Sequence, residues 1–513
     1  MGAGPCVLSP GNPRYFHPQA SGSTMSLSPL DAPDRLSARD RTTITVLLVS
    51  AFVVILNETI MNVALPRLME EFQVSPSAIQ WLATAFMLTM SVVIPATGYL
   101  LTRFPIRTVF ILAMSLFAAG TLLAGIAPGF EILLAARVVQ ASGTAIMMPL
   151  LMTTILDLVP SNRRGAVMGN VSIVISVAPA IGPTLSGLIL HSLSWRFMFL
   201  FVLPIAVIAL ILGARLLPGD RKHAPSKLSV PSVLLSIPAF GGLVYGLSGI
   251  GSPDAQTHLI AVIALGVSLV FLACFVVLQL RLQRKDAALL DMRPFLHRQF
   301  TLALALMVMA MVALFGVIIL LPMYLQNVRG LDVLVTGLLM LPGGLLMGLL
   351  APWVGKLFDK VGPRPLLIPG GALLSVILFS YTQLDAHTPL PMIIGLHLLM
   401  SIALAFIFTP AFTAGLNPLP HSLHSHGSAV LSTLQQLGGA AGTALLVGVM
   451  SAGTVAAAAT GKDQIAAQTS GFSSGFMVAA CVSLGIMVIA AFMGKESSSD
   501  THKSPAKGSV AVH

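Results

Sequence analysis

Long apolar runs constrain this chain more than any other feature of its sequence. Fourteen runs of 20 to 25 predominantly apolar residues are separated by shorter polar segments. A helix needs about 20 such residues to cross a hydrocarbon core of about 30 Å. Charged residues make up only 9% of the chain, far below the ~25% of soluble domains. The sequence therefore predicts an all-α membrane protein. The predicted spans are residues 43–65, 79–101, 107–127, 132–156, 166–190, 197–216, 230–250, 258–280, 300–324, 335–357, 364–383, 391–415, 427–450 and 473–494.

The distribution of basic residues predicts the orientation of these spans. With both termini cytoplasmic, 23 of the 28 Lys and Arg residues fall in the tails and cytoplasmic loops, and four fall in the outer loops. Cytoplasmic loops of membrane proteins carry such an excess. Because the basic residues are spread in this way, the net charge of +10 does not indicate a nucleic-acid partner. The cysteines (Cys6, Cys274, Cys481) are scattered and predict neither a disulfide framework nor a metal site.

An internal repeat divides the chain into two related halves. The segment Pro95-Ala-Thr-Gly98-Tyr-Leu-Leu-Thr-Arg-Phe-Pro-Ile-Arg matches Pro352-Trp-Val-Gly355-Lys-Leu-Phe-Asp-Lys-Val-Gly-Pro-Arg at an offset of 257 residues. Both copies join the second and third spans of a six-span unit if spans 7 and 8 are an insertion. Parallel repeats of this kind surround the central cavity of one large class of transporters.

The repeat and the composition of the ends give the predicted domain organisation. Two six-helix bundles flank a two-helix insertion, and the Pro-, Ser- and Gly-rich ends are predicted to be disordered cytoplasmic tails. Whether translation starts at Met1 or Met25 is left open. The predicted boundaries are 1–41 for the N-terminal tail, 42–217 for the N-terminal bundle, 218–290 for the insertion, 291–494 for the C-terminal bundle and 495–513 for the C-terminal tail.

One acidic residue lies inside the first span. Glu58 is about 10 Å from the outer end at 1.5 Å per residue, and a charged carboxylate at such a depth costs at least ~2.5 kcal/mol. Arg137 lies at a similar depth in the fourth span, and Glu58 is the only acid in the outer half of any span of the first bundle. We expect the two to pair and to couple proton movement, because ionisable groups inside the membrane are usually functional. The alternative is a static ion pair that joins two helices.

Span 5 carries small residues and prolines at regular spacing. Ala178, Gly182 and Ser186 form a smooth stripe that suits close helix approach, and Pro179 and Pro183 bend the helix. Simple packing would also explain this pattern. Other polar residues inside spans are predicted to line a substrate cavity, although glutamines in spans more often hydrogen-bond to neighbouring helices. These candidates are Asn57, Asn62, Gln140, Gln435 and Gln436.

Three histidines occupy the inner loop that lacks Lys and Arg. His421, His424 and His426 are poorly spaced for a metal ion, so the favoured interpretation is a solvated loop that gains charge at low pH. Asp157, near Arg163 and Arg164, is read as part of an ion pair at the membrane interface. The sequence therefore predicts no metal site and no cofactor.

The second copy of the repeat resembles the signature loop of the major facilitator superfamily. The pattern is Gly355-Lys-Leu-Phe-Asp359-Lys360-Val-Gly362-Pro-Arg364. In that family the Asp caps or pairs with a neighbouring helix end, and the basic residues clamp the cytoplasmic face in the outward-open state. The alternative is a loop shaped only by topology and turn formation.

The first copy departs from this signature. Gly98, Arg103 and Arg107 are present, but Thr102 stands where the family has Asp and Pro105 replaces the second Gly. The gating role that the resemblance implies for this loop would therefore depend on the two arginines.

Further motifs resemble those of drug:proton antiporters in the same superfamily. Arg137, Gln140 and Gly143 are similar to its span-4 motif, whose Arg is implicated in proton coupling. The segment Pro179-Ala-Ile-Gly182-Pro183-Thr-Leu-Ser186-Gly187 is similar to its antiporter motif.

The first span resembles that of the fourteen-span EmrB/QacA group, in its LmrB-like branch. The segment is Asn57-Glu58-Thr-Ile-Met-Asn62-Val-Ala-Leu-Pro66, in which the usual acid has moved from position 57 to Glu58. A shift of one position turns the side chain by about 100° around the helix. The resemblance covers about residues 43–494.

The resemblance implies a major facilitator fold and a transport function rather than an enzyme. We expect a multi-pass protein of the bacterial cytoplasmic membrane that exports small lipophilic drugs or antibiotics by alternating access, driven by inward proton flow. The alternative is an exporter or symporter of a specific metabolite. The substrate, the proton stoichiometry and the choice between a periplasmic adaptor protein and a lone monomer are left open.

Overall fold

The structure is a computed structural model that describes most of the predicted membrane region. It describes residues 1–2, 37–74, 76–219, 229–249, 255–285 and 287–494. Most of both predicted tails lies outside these residues. Every regular element in the described part of the chain is helical, which confirms the predicted all-α class.

Fourteen helices among the described residues are long and apolar enough to cross a membrane. In chain order they are α1 (Ala38–Phe72), α2 (Trp81–Arg103), α3 (Ile106–Gly125), α4 (Phe130–Leu158), α5 (Arg164–Ser192), α6 (Arg196–Leu216), α7 (Val230–Gly249), α8 (Ala255–Leu282), α9 (Arg298–Asn327), α10 (Val333–Val361), α11 (Arg364–Tyr381), α12 (Leu390–Leu416), α13 (His424–Ala459) and α14 (Gln464–Phe492).

Several helices continue past the apolar run that predicted them. The first span was expected to end at residue 65, but α1 continues to Phe72, where Gln73 caps it in the left-handed region at a φ of 51°. Asp332 and Asp463 cap α10 and α14 by accepting hydrogen bonds from the backbone N–H groups of Leu334 and Ala466. Polar residues prolong these helices because intrahelical hydrogen bonds do not require a lipid environment.

The helices form two six-helix bundles with two helices between them in sequence. Helices α1 to α6 pack on one another, as do α9 to α14, while α5 and α10 make their largest contact with each other. The bundles meet chiefly where α5 packs along α10 and where α2 packs on α13. The pair α7 and α8 lies outside this core against α2 and α13. This confirms the predicted arrangement of six, two and six helices.

Helix α7 has an irregular centre. Residues Ile237–Gly241 form a π-helical turn that contains Pro238, and a proline cannot donate the usual backbone hydrogen bond. The widened turn lies against α2, and the Tyr245 ring of α7 stacks on Trp81 at 5.8 Å between centroids. The insertion is thus fixed to the first bundle by aromatic and aliphatic contact.

The two ends of the molecule differ in how the bundles meet. We call the end that carries Ala38 and Phe492 the termini-side end, and the opposite end the far end. Arg298 and Arg364 both donate hydrogen bonds to carbonyl groups at the end of α14, so the starts of α9 and α11 lie at the termini-side end.

Candidate substrate cavity and its closed end

A cavity of about 480 Å³ lies between the two bundles. Helices α1 and α5 of the first bundle and α9, α10 and α12 of the second bundle contribute its walls, which are mainly aliphatic. No Asp, Glu, Lys or Arg is among its described lining residues. Its polar groups come from Thr59, Ser176, Gln326, Thr336, His397 and Ser401. The size and composition are those of a site for a drug-sized, largely apolar molecule.

The residues of the span-5 motif shape one wall of this cavity. Pro179 and Pro183 line it, and Gly182 faces Thr59 of α1 so closely that a Cβ atom at position 182 would overlap the threonine hydroxyl. Ser186 instead donates a hydrogen bond to Met198 Sδ at 3.3 Å, and Gly187 lies near Leu334. The motif therefore combines cavity lining with close packing of α5 on α1 and α10.

His397 is the most distinctive polar residue of the cavity. Its ring is 8% exposed, and its Nε2 lies 3.2 Å from the Met340 carbonyl oxygen. The other ring nitrogen, Nδ1, has no hydrogen-bond partner. Gly343 leaves the space for this ring, because a Cβ atom there would overlap it. If Nε2 donates to the carbonyl, Nδ1 is an acceptor that is buried without a hydrogen-bond partner.

Glu58 and Arg137 are neighbours, but they do not form the direct pair that the sequence predicts. Glu58 is half-buried beside Thr59, and its carboxylate interacts electrostatically with the Arg137 guanidinium. Among the described residues, no hydrogen bond or ion pair joins the two groups directly. Glu58 therefore lies close to the cavity wall without contributing to it.

Other groups hold the Arg137 side chain. Its Nη1 donates to Gln140 Oε1 at 2.6 Å, and Gln140 Nε2 donates to Thr121 Oγ1 at 2.8 Å. The guanidinium carbon lies 4.0 Å from the centre of the Phe86 ring. Arg137 is only 1% exposed, yet its Nε has no hydrogen-bond partner, and the buried Asn57 Oδ1 has none either. Unpaired buried polar atoms are rare and often mark functional sites.

Three further candidates, Gln140, Gln435 and Gln436, do not line the cavity. Gln140 is engaged by Arg137 and Thr121, and the half-buried Gln435 and Gln436 are not among the lining residues. The side chain of Asn62 lies outside the described residues. The sequence missed His397 and Ser401 because a histidine or serine in an apolar run is usually a packing residue. The only available signal was their spacing of four residues, which places both on one face of α12.

The second copy of the repeat closes the termini-side end. Asp359, near the end of α10, accepts hydrogen bonds from the backbone N–H groups of Gly165 at 2.9 Å and Ala166 at 3.0 Å. These groups belong to the first turn of α5, so one bundle caps a helix of the other. Gly355 packs directly on the backbone of Gly165, and a Cβ atom at position 355 would overlap the Gly165 carbonyl oxygen.

The other residues of this loop shape its turn and surface. Gly362 ends α10 at a φ of 76°, a left-handed conformation that favours glycine. Arg364 begins α11 and donates to the Ala491 carbonyl group. Lys360 is exposed. Asp359 and Gly355 therefore make the contacts of the signature with the other bundle, whereas Arg364 bonds within its own bundle.

The first copy of the repeat does not make the equivalent contact. Thr102 donates a hydrogen bond to the Tyr99 carbonyl oxygen of its own helix, and Arg103 and Arg107 are exposed. Gly98 instead faces the His426 ring and the Leu289 carbonyl oxygen. The segment that follows the inserted helices thus packs against the first copy of the repeat at Gly98.

Every side-chain hydrogen bond between the bundles in the described part of the chain lies at or toward the termini-side end. Besides those of Asp359, Arg164 donates to Asn417 at 3.1 Å, and the Ser172 and Thr409 hydroxyls are 2.7 Å apart. The cavity occupies the half of the molecule beyond these bonds, since its α10 residues run from Thr336 to Met347. The structure is therefore closed at the termini-side end.

Comparison with known proteins agrees with this architecture. The family described as Major Facilitator Superfamily matches residues 47–443. The MFS-type transporter YcnB of Bacillus subtilis is 41% identical over 439 residues, covering 86% of this chain and 92% of YcnB. Lincomycin resistance protein LmrB of Listeria monocytogenes is 39% identical over 447 residues, covering 85% of this chain and 94% of LmrB.

Two solved structures share the fold at low sequence identity. The human organic anion transporter MFSD10 superposes with a TM-score of 0.61 at 15% identity, covering 88% of this chain and 99% of that chain. The proton:xylose symporter XylE gives a TM-score of 0.59 at 15% identity, covering 90% of this chain and 97% of that chain. The chain therefore belongs to the Major Facilitator Superfamily, as a multi-pass bacterial membrane transporter of the branch that includes the LmrB proteins.

Proposed function

We propose that this protein exports small lipophilic compounds, including antibiotics, in exchange for protons by alternating access. The observation that carries the proposal is the apolar cavity between two bundles that, among the described residues, are joined by side-chain hydrogen bonds at the termini-side end. Such an arrangement suits a binding site that opens to one side at a time. Relatives named for lincomycin resistance support a drug as the substrate.

The cavity favours neutral, lipophilic molecules with few polar groups. Its walls are mainly aliphatic and carry no charged residue among those described, so a strongly charged substrate would lose its hydration without compensation. His397 lines the cavity with a buried, unpaired Nδ1 that a rotation of the ring would expose to a substrate, and Ser401 lies one turn further along α12. A substrate that donates a hydrogen bond would be oriented by His397 while the rest of the wall selects by size.

Glu58 is the proposed proton carrier. It lies beside the cavity-lining Thr59 and within electrostatic range of Arg137. In this cycle Glu58 takes up a proton from the outside and releases it toward the cytoplasm, with the proton gradient as the energy source and no cofactor. Arg137 attracts the ionised carboxylate but not the protonated one, so each protonation state favours a different helix arrangement.

The surroundings of Arg137 suit such a change. Gln140 and Phe86 hold the guanidinium away from a direct bond with Glu58, and Arg137 Nε and Asn57 Oδ1 are left unpaired. A second arrangement of α1 and α4 that satisfies these atoms would compensate the cost of rearrangement.

Transport in vesicles tests the direction of coupling. Purified protein in vesicles with an imposed pH gradient should accumulate substrate only when the vesicle interior is acidic. Accumulation that follows protons into an alkaline interior would instead identify a symporter, and transport that ignores the gradient would exclude proton coupling.

A substitution tests the proton carrier. Addition of a transported drug to detergent-solubilised protein should release protons, and Glu58→Gln should abolish that release because the amide cannot titrate. Glu70→Gln is the matched control, since Glu70 lies on the same helix and is exposed. Undiminished proton release from Glu58→Gln would reject Glu58 as the coupling group.

A further inference from the structure

Two histidines and a carboxylate converge at the closed end, and the transport cycle described above does not use them. Asp157 lies in the last turn of α4, in the first bundle, while His421 and His424 lie at the link between α12 and α13, in the second bundle. His424 Nδ1 is 3.1 Å and His421 Nε2 is 3.2 Å from Asp157 Oδ1. The three donor atoms all lie within 4.8 Å of one another.

We propose that Asp157, His421 and His424 form a binding site for a divalent transition-metal ion such as Zn²⁺, which holds the bundles together at the termini-side end. Two imidazole nitrogens and one carboxylate oxygen are ligands that suit Zn²⁺ and its first-row neighbours rather than Mg²⁺ or Ca²⁺. The sequence predicts a solvated loop without a metal site, and this proposal departs from that prediction. The structure itself places the His424 side chain, which is 4% exposed, against Asp157. Sequence spacing was misleading because the carboxylate comes from the other bundle.

The distances between the donor atoms fit this chemistry. Tetrahedral Zn²⁺ with bonds of about 2.0–2.2 Å places its ligand atoms roughly 3.3–3.6 Å apart. The two histidine nitrogens are 3.1 and 3.2 Å from the carboxylate oxygen. The two histidine nitrogens lie within 4.8 Å of each other, so the rings would have to move to reach tetrahedral spacing around an ion. The His421 side chain is 71% exposed, so it can adjust, and water can reach a fourth position.

The orientation of His424 supports the assignment. Its Nε2 lies 3.1 Å from the Leu419 carbonyl oxygen, and its Nδ1 faces the Asp157 carboxylate. If Nε2 donates to the carbonyl, Nδ1 presents a lone pair toward a negative oxygen, and a cation between the two atoms would satisfy both. A backbone acceptor on the second ring nitrogen is also the usual outer contact of a histidine that binds metal.

Arg164 is a nearby positive charge that would repel a bound metal ion. It interacts electrostatically with Asp157, but its nitrogens donate to the carbonyl groups of Leu156 and Val159 and to Asn417 Oδ1. These bonds direct the guanidinium toward other acceptors. The carboxylate therefore keeps an oxygen in contact with both histidines.

Titration of the purified protein with Zn²⁺ alone tests the site without relying on transport. We expect one Zn²⁺ per chain by calorimetry, with affinity at least tenfold lower in Asp157→Asn and in His424→Gln, and no comparable binding of Mg²⁺. His387→Gln is the matched control for histidine content, since His387 is exposed in the far-end loop between α11 and α12. Affinity unchanged in both site variants, or no binding to the wild-type protein, would overturn the proposal.

A second measurement tests whether the ion joins the bundles, and this part rests on the proposed transport cycle. Zn²⁺ added at the termini-side face should slow drug export, a chelator should restore it, and His421→Ala/His424→Gln should export without sensitivity to Zn²⁺. Export that is insensitive to Zn²⁺ in the wild-type protein, despite a bound ion, would reject the bridging role. A failure of drug export in all variants would instead count against the proposed function, since Zn²⁺ binding is measured separately.

Discussion

At the scale of single residues, His397 is the group that would orient polar substrates in the proposed function. It is the only described histidine among the lining residues, and its Nδ1 has no protein partner. A neutral hydrogen bond contributes about 1 kcal/mol, and 1.4 kcal/mol corresponds to a tenfold change in Kd. The ring therefore contributes to selectivity more than to overall affinity.

We expect His397→Ala to weaken binding of substrates that carry a hydrogen-bond donor by about fivefold, the effect of about 1 kcal/mol. Substrates without a donor should bind nearly as well as to the wild-type protein. Fluorescence or calorimetric titration with a matched pair of compounds, differing by one hydroxyl, measures the difference. His387→Ala is the control because this side chain is exposed in a loop. Equal losses for both compounds would show that His397 only shapes the wall.

The sequence identifies candidate residues when a charged side chain lies in an apolar run. It does not identify residues whose role depends on contacts with other helices. Glu58 and Arg137 stood out because charge is costly inside a membrane, and the structure places them near each other. Their separation could not be predicted, since Gln140 and Phe86 hold the guanidinium through contacts between different helices. The position of His397 could not be predicted either, because its ring depends on the space left by Gly343 on another helix.

At the scale of helices, the contact between α5 and α10 determines how tightly the closed end can form. Gly355 and Gly165 meet backbone to backbone, and Gly169 packs in the same way on Ala351 and Pro352. Small residues permit such close approach, and membrane helices depend on it because lipid offers no hydrophobic drive toward association. Any added atom at this contact must separate the helices.

Gly355→Ala should therefore disfavour closure of the termini-side end. Its Cβ would overlap the Gly165 carbonyl oxygen, and overpacking of this kind costs about 1–3 kcal/mol. We expect drug export to fall at least tenfold and the Tm of the purified protein to decrease. Gly395→Ala is the matched control, because a Cβ there meets no atom within 4 Å. If both variants export and unfold alike, the contact does not limit closure.

The sequence predicted the helices and their pairing better than their irregularities. The offset of 257 residues between the two copies of the loop motif gave the arrangement of six, two and six helices, because repeated loops require repeated bundles. The π-helical turn around Pro238 and the place of Leu289 beside Gly98 were not predictable. Both features depend on how the inserted helices pack against α2 and α13. Such packing between distant segments leaves no pattern in the local sequence.

At the scale of the whole molecule, the two ends differ in the hydrogen bonds that join the bundles. This difference favours the conformation that is closed at the termini-side end. Hydrogen bonds between the bundles lie at or toward the termini-side end among the described residues. At the far end, Glu71 pairs with Arg196 at 3.0 Å, but both residues belong to the first bundle. The two copies of the repeat also differ, since Asp359 bridges the bundles and Thr102 does not.

The difference between the ends predicts that Asp359 sets the equilibrium between the two conformations. A hydrogen bond to a charged group contributes about 1.5–3 kcal/mol, so Asp359→Asn should shift the population toward the state open at the termini-side end by roughly 30-fold, the effect of about 2 kcal/mol. Spin labels at the exposed Arg107 and Leu296, one in each bundle and in a background without the native cysteines, would report this shift as a longer distance. Asp332→Asn is the matched control, because Asp332 also caps a helix but within its own bundle. If the two variants give the same distance distribution as the wild-type protein, the equilibrium is set by the glycine contacts of α5 and α10 and not by the carboxylate.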